Sequence, residues 1–281
     1  MKKYLLSTLL SVLLVAGSFS TSYAQTDRNN PLNPFYEAPP TYIGPVFGYN
    51  RAMHSVDLKS FQESLCPTFS DGQDNGFYVG FSYESHFGDH ATSTQSLIFR
   101  VLYNTMPSYL ETSEPPILSL ITTPSGDVPV QSQVTNKMDV TYSMFTGEIM
   151  YKLNFSQGAP IGFTIGPTFD FATTKTYTQT YELLSPDNAQ FKRNASWEAQ
   201  GLKYTNNDRT IIVKDGDIEE SSAFRFGIKA GLQYEITQPG FVIVPAVYYN
   251  FGITNLSSKQ NWRVSALQMG VDIRFAVDWF N

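Results

Sequence analysis

Few side chains in this chain have the types and spacing to do chemistry, and those that do fall into three short clusters. His86 and His90 bracket Phe87-Gly88-Asp89. Two imidazoles at that spacing hold a metal when a helix turns both to one face, but Gly88 puts a turn between them, so no metal site is expected. Asp71-Gly72-Gln73-Asp74-Asn75-Gly76 has the outline of a calcium loop. Its third position is Gln73 and its twelfth is Ser82, where such a loop needs a bidentate glutamate, so it reads as a polar loop tip leading into a strand. His54, Ser55 and Asp57 supply the residue types of nucleophilic hydrolysis. Adjacency cannot make a triad of them, because the relay depends on geometry in space and another loop would have to contribute. Cys66 is the single cysteine; with three histidines it gives no zinc spacing and no internal disulfide. The expectation is a protein without catalytic residues, metal or cofactor.

The remaining ionisable residues gain meaning only from the segments that carry them. In Ala223 to Glu235 one wall is Phe224, Phe226, Ile228, Ala230, Leu232 and Tyr234, and the other is Arg225, Gly227, Lys229, Gly231, Gln233 and Glu235. A strand puts neighbours on opposite faces. An apolar wall with aromatic ends, backed by glycine and charges of both signs, suits a strand between lipid and a narrow lumen. The same alternation recurs, giving eight predicted strands: Thr41–Asn50, Gly76–Glu84, Ser96–Thr105, Val140–Phe155, Ile161–Ala172, Ala223–Glu235, Phe241–Phe251 and Trp262–Val277.

The connections between them run 25, 11, 34, 5, 50, 5 and 10 residues. Three of the four odd-numbered connections are long, as in barrels with short periplasmic turns and long extracellular loops. The expected fold is therefore all-β: an eight-stranded antiparallel transmembrane β-barrel with long extracellular loops. A ten-stranded variant would use the second loop for an extra hairpin. The strands flanking Thr173 to Ser222 are expected to continue as a hairpin above the membrane, with Asp215 to Glu220 as its solvated acidic tip. Apolar Ile117 to Thr122 would pack over the mouth or contact a partner.

Composition agrees. Aromatic residues reach 15% and charged residues only 16%, against a usual quarter, while mean hydropathy is slightly negative at -0.21. No segment after the leader holds the unbroken apolar run a membrane helix needs. Lys2-Lys3, an apolar stretch and Ser22-Tyr23-Ala24 read as a secretory signal over residues 1–24. Proline-rich residues 25–40 form a periplasmic lead-in, and residues 41–281 form the barrel. The net charge of -6 argues against a nucleic-acid partner.

The inward walls carry Arg100, Lys152, Arg225, Lys229 and Arg274 against Glu84, Glu148, Asp170, Glu235 and Asp272. Eight strands leave room only for side chains, and charges packed there must pair because an isolated one is costly. Balanced signs imply a filled, salt-bridged lumen and a structural or surface-interaction role through the loops. A small-solute channel and a loop-sited hydrolase built on His54 are the alternatives. The partners that follow are outer-membrane lipid and an extracellular protein or glycan.

The last strand reads Gln268-Met269-Gly270-Val271-Asp272-Ile273-Arg274-Phe275. It resembles the assembly signal of bacterial outer-membrane barrels, carried by Gln268, Gly270, Ile273 and Phe275, which implies recognition by the barrel-assembly machinery. Ile43-Gly44-Pro45-Val46-Phe47-Gly48 and Ile165-Gly166-Pro167-Thr168-Phe169 resemble the PorT-like outer-membrane β-barrel family of Bacteroidota-type bacteria. That resemblance implies fold and a cell outer-membrane location, and little about activity.

Overall fold

Period-two alternation dominates the chain and turn formers fall between the runs, so strand follows strand. The computed structural model describes residues 41–58, 69–87, 93–123, 126–156, 159–259 and 261–277. The expected leader, the lead-in, Cys66 and His90 lie outside the described residues. In chain order the elements are β1 (Thr41–Leu58), β2 (Phe69–His86), β3 (Gln95–Thr105), β4 (Ser108–Ser113), β5 (Ile117–Thr123), β6 (Gly126–Asn154) and β7 (Ile161–Ser185). There follow β8 (Ala189–Gln190), helix α1 (Ala195–Ala199), β9 (Lys203–Thr205), β10 (Thr210–Asp217), β11 (Phe224–Tyr234), β12 (Ile236–Gln238), β13 (Phe241–Gly252) and β14 (Arg263–Val277).

Eight of these strands close a ring in the order β1-β2-β3-β6-β7-β11-β13-β14, every neighbour antiparallel. β1 seals it against β14 from Thr41↔Val277 to Ser55↔Arg263. The fold is an eight-stranded antiparallel barrel of the transmembrane kind. The ten-stranded variant does not form: β4 follows β3 in the same place between β2 and β6, β5 pairs with β6 above the ring, and β10 pairs with β7 beyond the end of β11.

Through the lower part of the ring the walls divide as alternation requires. Ile43–Tyr49, Phe77–Tyr83, Leu97–Tyr103, Phe145–Leu153, Ile161–Phe171, Phe224–Tyr234, Phe241–Phe251 and Leu267–Phe275 form the membrane-spanning segments, each with an apolar wall outward, while Val46, Ile98, Leu102 and Met150 are buried on the inward wall. Phe81 and Val101, near mid-height, are 67% and 66% exposed. A continuous apolar belt of that kind is stable only against hydrocarbon. Aromatic contacts ring its two edges: Tyr103 packs 5.7 Å from Phe145 and 6.3 Å from Phe77 at one, and Phe241 lies 6.2 Å from Phe275 at the other.

Above the belt the polarity of the walls inverts. Phe169 and Phe171 point outward, yet Tyr177, Tyr181 and Leu183, also at odd positions, point inward, and Tyr181 and Leu183 are buried. The cause is a β-bulge: Ser143 pairs with Thr174 and Met144 with Ala172, so Thr173 is an extra residue. One added residue turns every later side chain of β7 to the other face. β6 keeps its phase and exchanges inward partners, from Met150, Glu148 and Thr146 below to Tyr142, Val140 and Met138 above.

The loops expected between strands are therefore largely strand. β6 runs on for about 60 Å of strand beyond Phe145, and with β7 it carries a sheet in the order β8-β5-β6-β7-β10-β9. Its own core holds Val134, Tyr181, Leu183, Ala189, Phe191, Leu202 and Ile211. The hairpin expected from Thr173 to Ser222 is present as β7 with β10, paired from Thr210↔Glu182 to Asp217↔Thr176.

Three local expectations need correction. Asp71 to Gly76 is not a loop tip; β2 already begins at Phe69, and Gly72 pairs with His54. Ile117 to Thr122 does not cover the mouth, because β5 is recruited into the upper sheet, where Ile117 and Ile121 pack on its core. Asp215 to Glu220 is not the tip of the hairpin but its return to the barrel rim, where Ile218 is buried in the mouth.

Candidate functional site

The lumen is built in tiers, each dictated by what the inward positions can satisfy. At the lower end Lys152 bridges Glu235 at 2.5 Å and also meets Glu84. Glu84 pairs with Arg274, which reaches Asp272 at 2.8 Å; Asp272 takes a second bond from Arg100 at 2.8 Å. Arg100 lies 3.5 Å from Glu148, which pairs with Lys229. Eight of the ten inward charges thus form one continuous chain of alternating sign. The other two, Arg225 and Asp170, pair with each other at 2.6 Å. Tyr248 accepts from Arg100 at 2.7 Å, and the Lys229 ammonium sits 5.2 Å and 5.6 Å from the Tyr248 and Tyr78 ring centres.

Above this chain lies a tier of neutral polar groups. Gln268 donates to Asn50 at 2.7 Å, Asn50 donates to Asn104 and to the Thr105 carbonyl, and Thr146 donates to Asp170 at 2.7 Å. Arg225 then joins polar to apolar: it donates to the Val264 carbonyl at 2.6 Å and lies against the sulfurs of Met106 and Met144.

The mouth itself is closed by a dry cluster that includes Ala52, Met106, Tyr142, Ile218, Leu256 and Trp262. Ile218 is held there by the residues that follow it. Lys259 reaches Glu220 at 3.1 Å and Glu219 at 3.7 Å, and Ser257 donates to the Glu219 carbonyl at 2.9 Å.

His54 stands within this cap, above the membrane-spanning part of β1. The Trp262 indole can only donate, and it donates to Nδ1 of His54 at 3.1 Å; Nε2 therefore carries the proton and donates to the Met106 carbonyl at 3.0 Å. Burial, with the Arg225 charge adding to it, pushes the His54 pKa down to about 3 against a raising bond to Met106. Both ring nitrogens are committed to packing. Ser55 and Asp57 point to the opposite, exposed face, so the three residue types of the hydrolase reading are not brought together. His86 lies beside Tyr42, with ring centres 5.6 Å apart, and 3.9 Å from Glu84. Among the described residues no group of His, Cys, Asp or Glu gathers with metal-holding geometry.

The residues of the assembly-like pattern divide between the walls. Gln268 is buried in the amide tier, and Gly270 leaves the room that Tyr78 fills: a Cβ there would stand 2.1 Å from the Tyr78 hydroxyl. Ile273 faces outward opposite Ile243, and Phe275 stands between Ile43 and Phe241. Asn104 lies inward beside Arg100, as the alternation of its strand predicts, and neutral Tyr248 and Trp262 are buried as deeply as the charges; these two are not in the predicted network because it counts ionised residues alone.

No family model and no curated protein matches this chain. Among solved structures it is similar to a Neisserial surface protein, NspA, at 15% identity and a TM-score of 0.36, over 85% of this chain and 99% of that one. It is also similar to Ail, the attachment invasion locus protein of Yersinia pestis, at 12% identity and a TM-score of 0.32, over 84% and 99%. A third is the outer membrane protein OprG from Pseudomonas aeruginosa, at 10% identity and a TM-score of 0.29, over 86% and 98%.

Proposed function

We propose that this chain is an integral outer-membrane protein of the PorT-like kind whose barrel is a closed pedestal for the sheet above it. The observation that carries this reading is the double seal. Every inward charge in the spanning region has a partner of opposite sign, and an apolar cluster covers the same lumen above. A conducting pore keeps a continuous wetted path; here paired ions and packed apolar side chains occupy the path in succession. The extended sheet, with its separate core, places loops and strand edges well clear of the lipid, where a protein or glycan partner can reach them.

Planar-bilayer recording tests the seal. The purified barrel gives no steady unitary openings at neutral pH, and Ile218→Ala leaves the recording silent because the ion chain below remains intact. A stable ohmic conductance in the unaltered protein supports the small-solute channel and ends the pedestal reading.

A further inference from the structure

The upper sheet has one edge that is left half-paired. β5 is bonded to β6 along its whole length, from Ile117↔Ser132 to Thr123↔Gly126. On its other side β8 meets it only at Leu120↔Gln190 and Ile121↔Ala189. After Gln190 the chain turns away, because the Phe191 amide donates to the Asp208 carbonyl at 2.8 Å and Asn194 caps α1. The divergence opens a slot of about 570 Å³ between Ile117-Leu118 and the segment from Phe191 to Trp197. Its floor is aromatic, with Tyr181 and Phe191 stacked at 5.3 Å. Leu118 at its side is 74% exposed. Pro115 and Pro116 stop the strand at Ile117, and within Ile117–Thr123 no charge or proline guards the edge; an open apolar edge of that kind is a feature that proteins ordinarily cover.

We infer that this slot takes an extended acidic peptide, which adds to the Ile117–Ser119 edge as a strand, sets an apolar side chain on the Tyr181–Phe191 floor and presents a carboxylate to Lys192. This inference rests on the surface-display reading above and deepens it by naming a partner class. Strand addition uses the open backbone groups for affinity and alternate side chains for specificity. The charge follows from the rim. Arg193 is already engaged by Asp208 at 2.9 Å, whereas Lys192 is exposed and has no carboxylate partner among the described residues. A second copy of this chain fits poorly, since its own edge brings another exposed Lys192 rather than a carboxylate.

The test uses the full chain in detergent and a fluorescein-labelled acetyl-Thr-Val-Glu-Val-Thr-amide peptide, followed by anisotropy. Saturable binding tighter than roughly 1 mM is expected. It weakens about tenfold in Lys192→Glu and is lost when alternate peptide amides are N-methylated, which removes the strand bonds. Unchanged resistance of the upper sheet to limited proteolysis shows that Lys192→Glu still folds. Three results overturn the inference: no saturation, binding indifferent to both changes, or displacement of the peptide by a neutral oligosaccharide. Lys192→Glu leaves bilayer recordings silent, so failure of the slot and failure of the sealed pedestal are read separately.

Discussion

At the scale of single residues, the interior depends on pairing. Asp170 and Arg225 form a pair outside the main ion chain, so they isolate the energetics best. Asp170→Asn leaves a buried guanidinium unmatched and is expected to lower unfolding stability by about 3–5 kcal/mol, while adding Arg225→Met recovers most of that loss. A urea-titration double-mutant cycle in detergent measures both. His54 provides a pH signature. Its pKa is near 3 in the fold and about 6.5 when unfolded, so the unfolded chain takes up a proton first. Stability conferred by neutral His54 is complete above pH 6.5 and is lost as pH falls toward 3, by about 3 kcal/mol between pH 6.5 and 4. The difference in unfolding midpoint between His54→Gln and the unaltered chain should shrink across that window; a constant difference would refute the buried neutral ring. Gly270→Val should also destabilise the barrel, since its Cβ collides with Tyr78.

At the scale of elements, the sequence was most legible where one phase of alternation persisted. Each of the eight predicted ring strands lies on an observed one, and all ten inward charges face the lumen, because lipid outside and a packed interior both enforce period two. What escaped was the continuation of strands past the membrane. β6 was expected to start at Val140 and starts at Gly126; its upper half alternates around a different kind of core, so the familiar lipid-facing pattern stops while the strand does not. The Thr173 bulge has no signature of its own: Lys175, Tyr177, Gln179 and Tyr181 alternate visibly, but the sequence does not say that their wall has changed sides. Deleting Thr173 tests this directly. It should swing Tyr177 and Tyr181 outward, expose the upper sheet to limited proteolysis and leave the heat-modifiable barrel intact; a protease-resistant upper sheet would mean that the bulge is incidental.

At the scale of the whole molecule, one chain runs two opposite solvation schemes end to end. Around the membrane it is polar within and apolar without, and above the membrane it is apolar within and polar without. His54, Arg225 and Met106 stand where the two interiors meet. The arrangement explains why composition is aromatic and charge-poor yet not hydrophobic overall: the same residue types serve opposite faces at different heights. The most direct measurement is fluorescence quenching by phospholipids brominated along their chains, read from tryptophan placed by Phe81→Trp and, in a second variant, by Leu118→Trp. Measured as the emission added to that of the unaltered chain, whose own tryptophans include Trp197 and Trp262 above the membrane, the first should be strongly quenched by the brominated chains and untouched by aqueous iodide, and the second should show the reverse. Iodide quenching of Phe81→Trp, with no effect of brominated lipid, would contradict the account at its base.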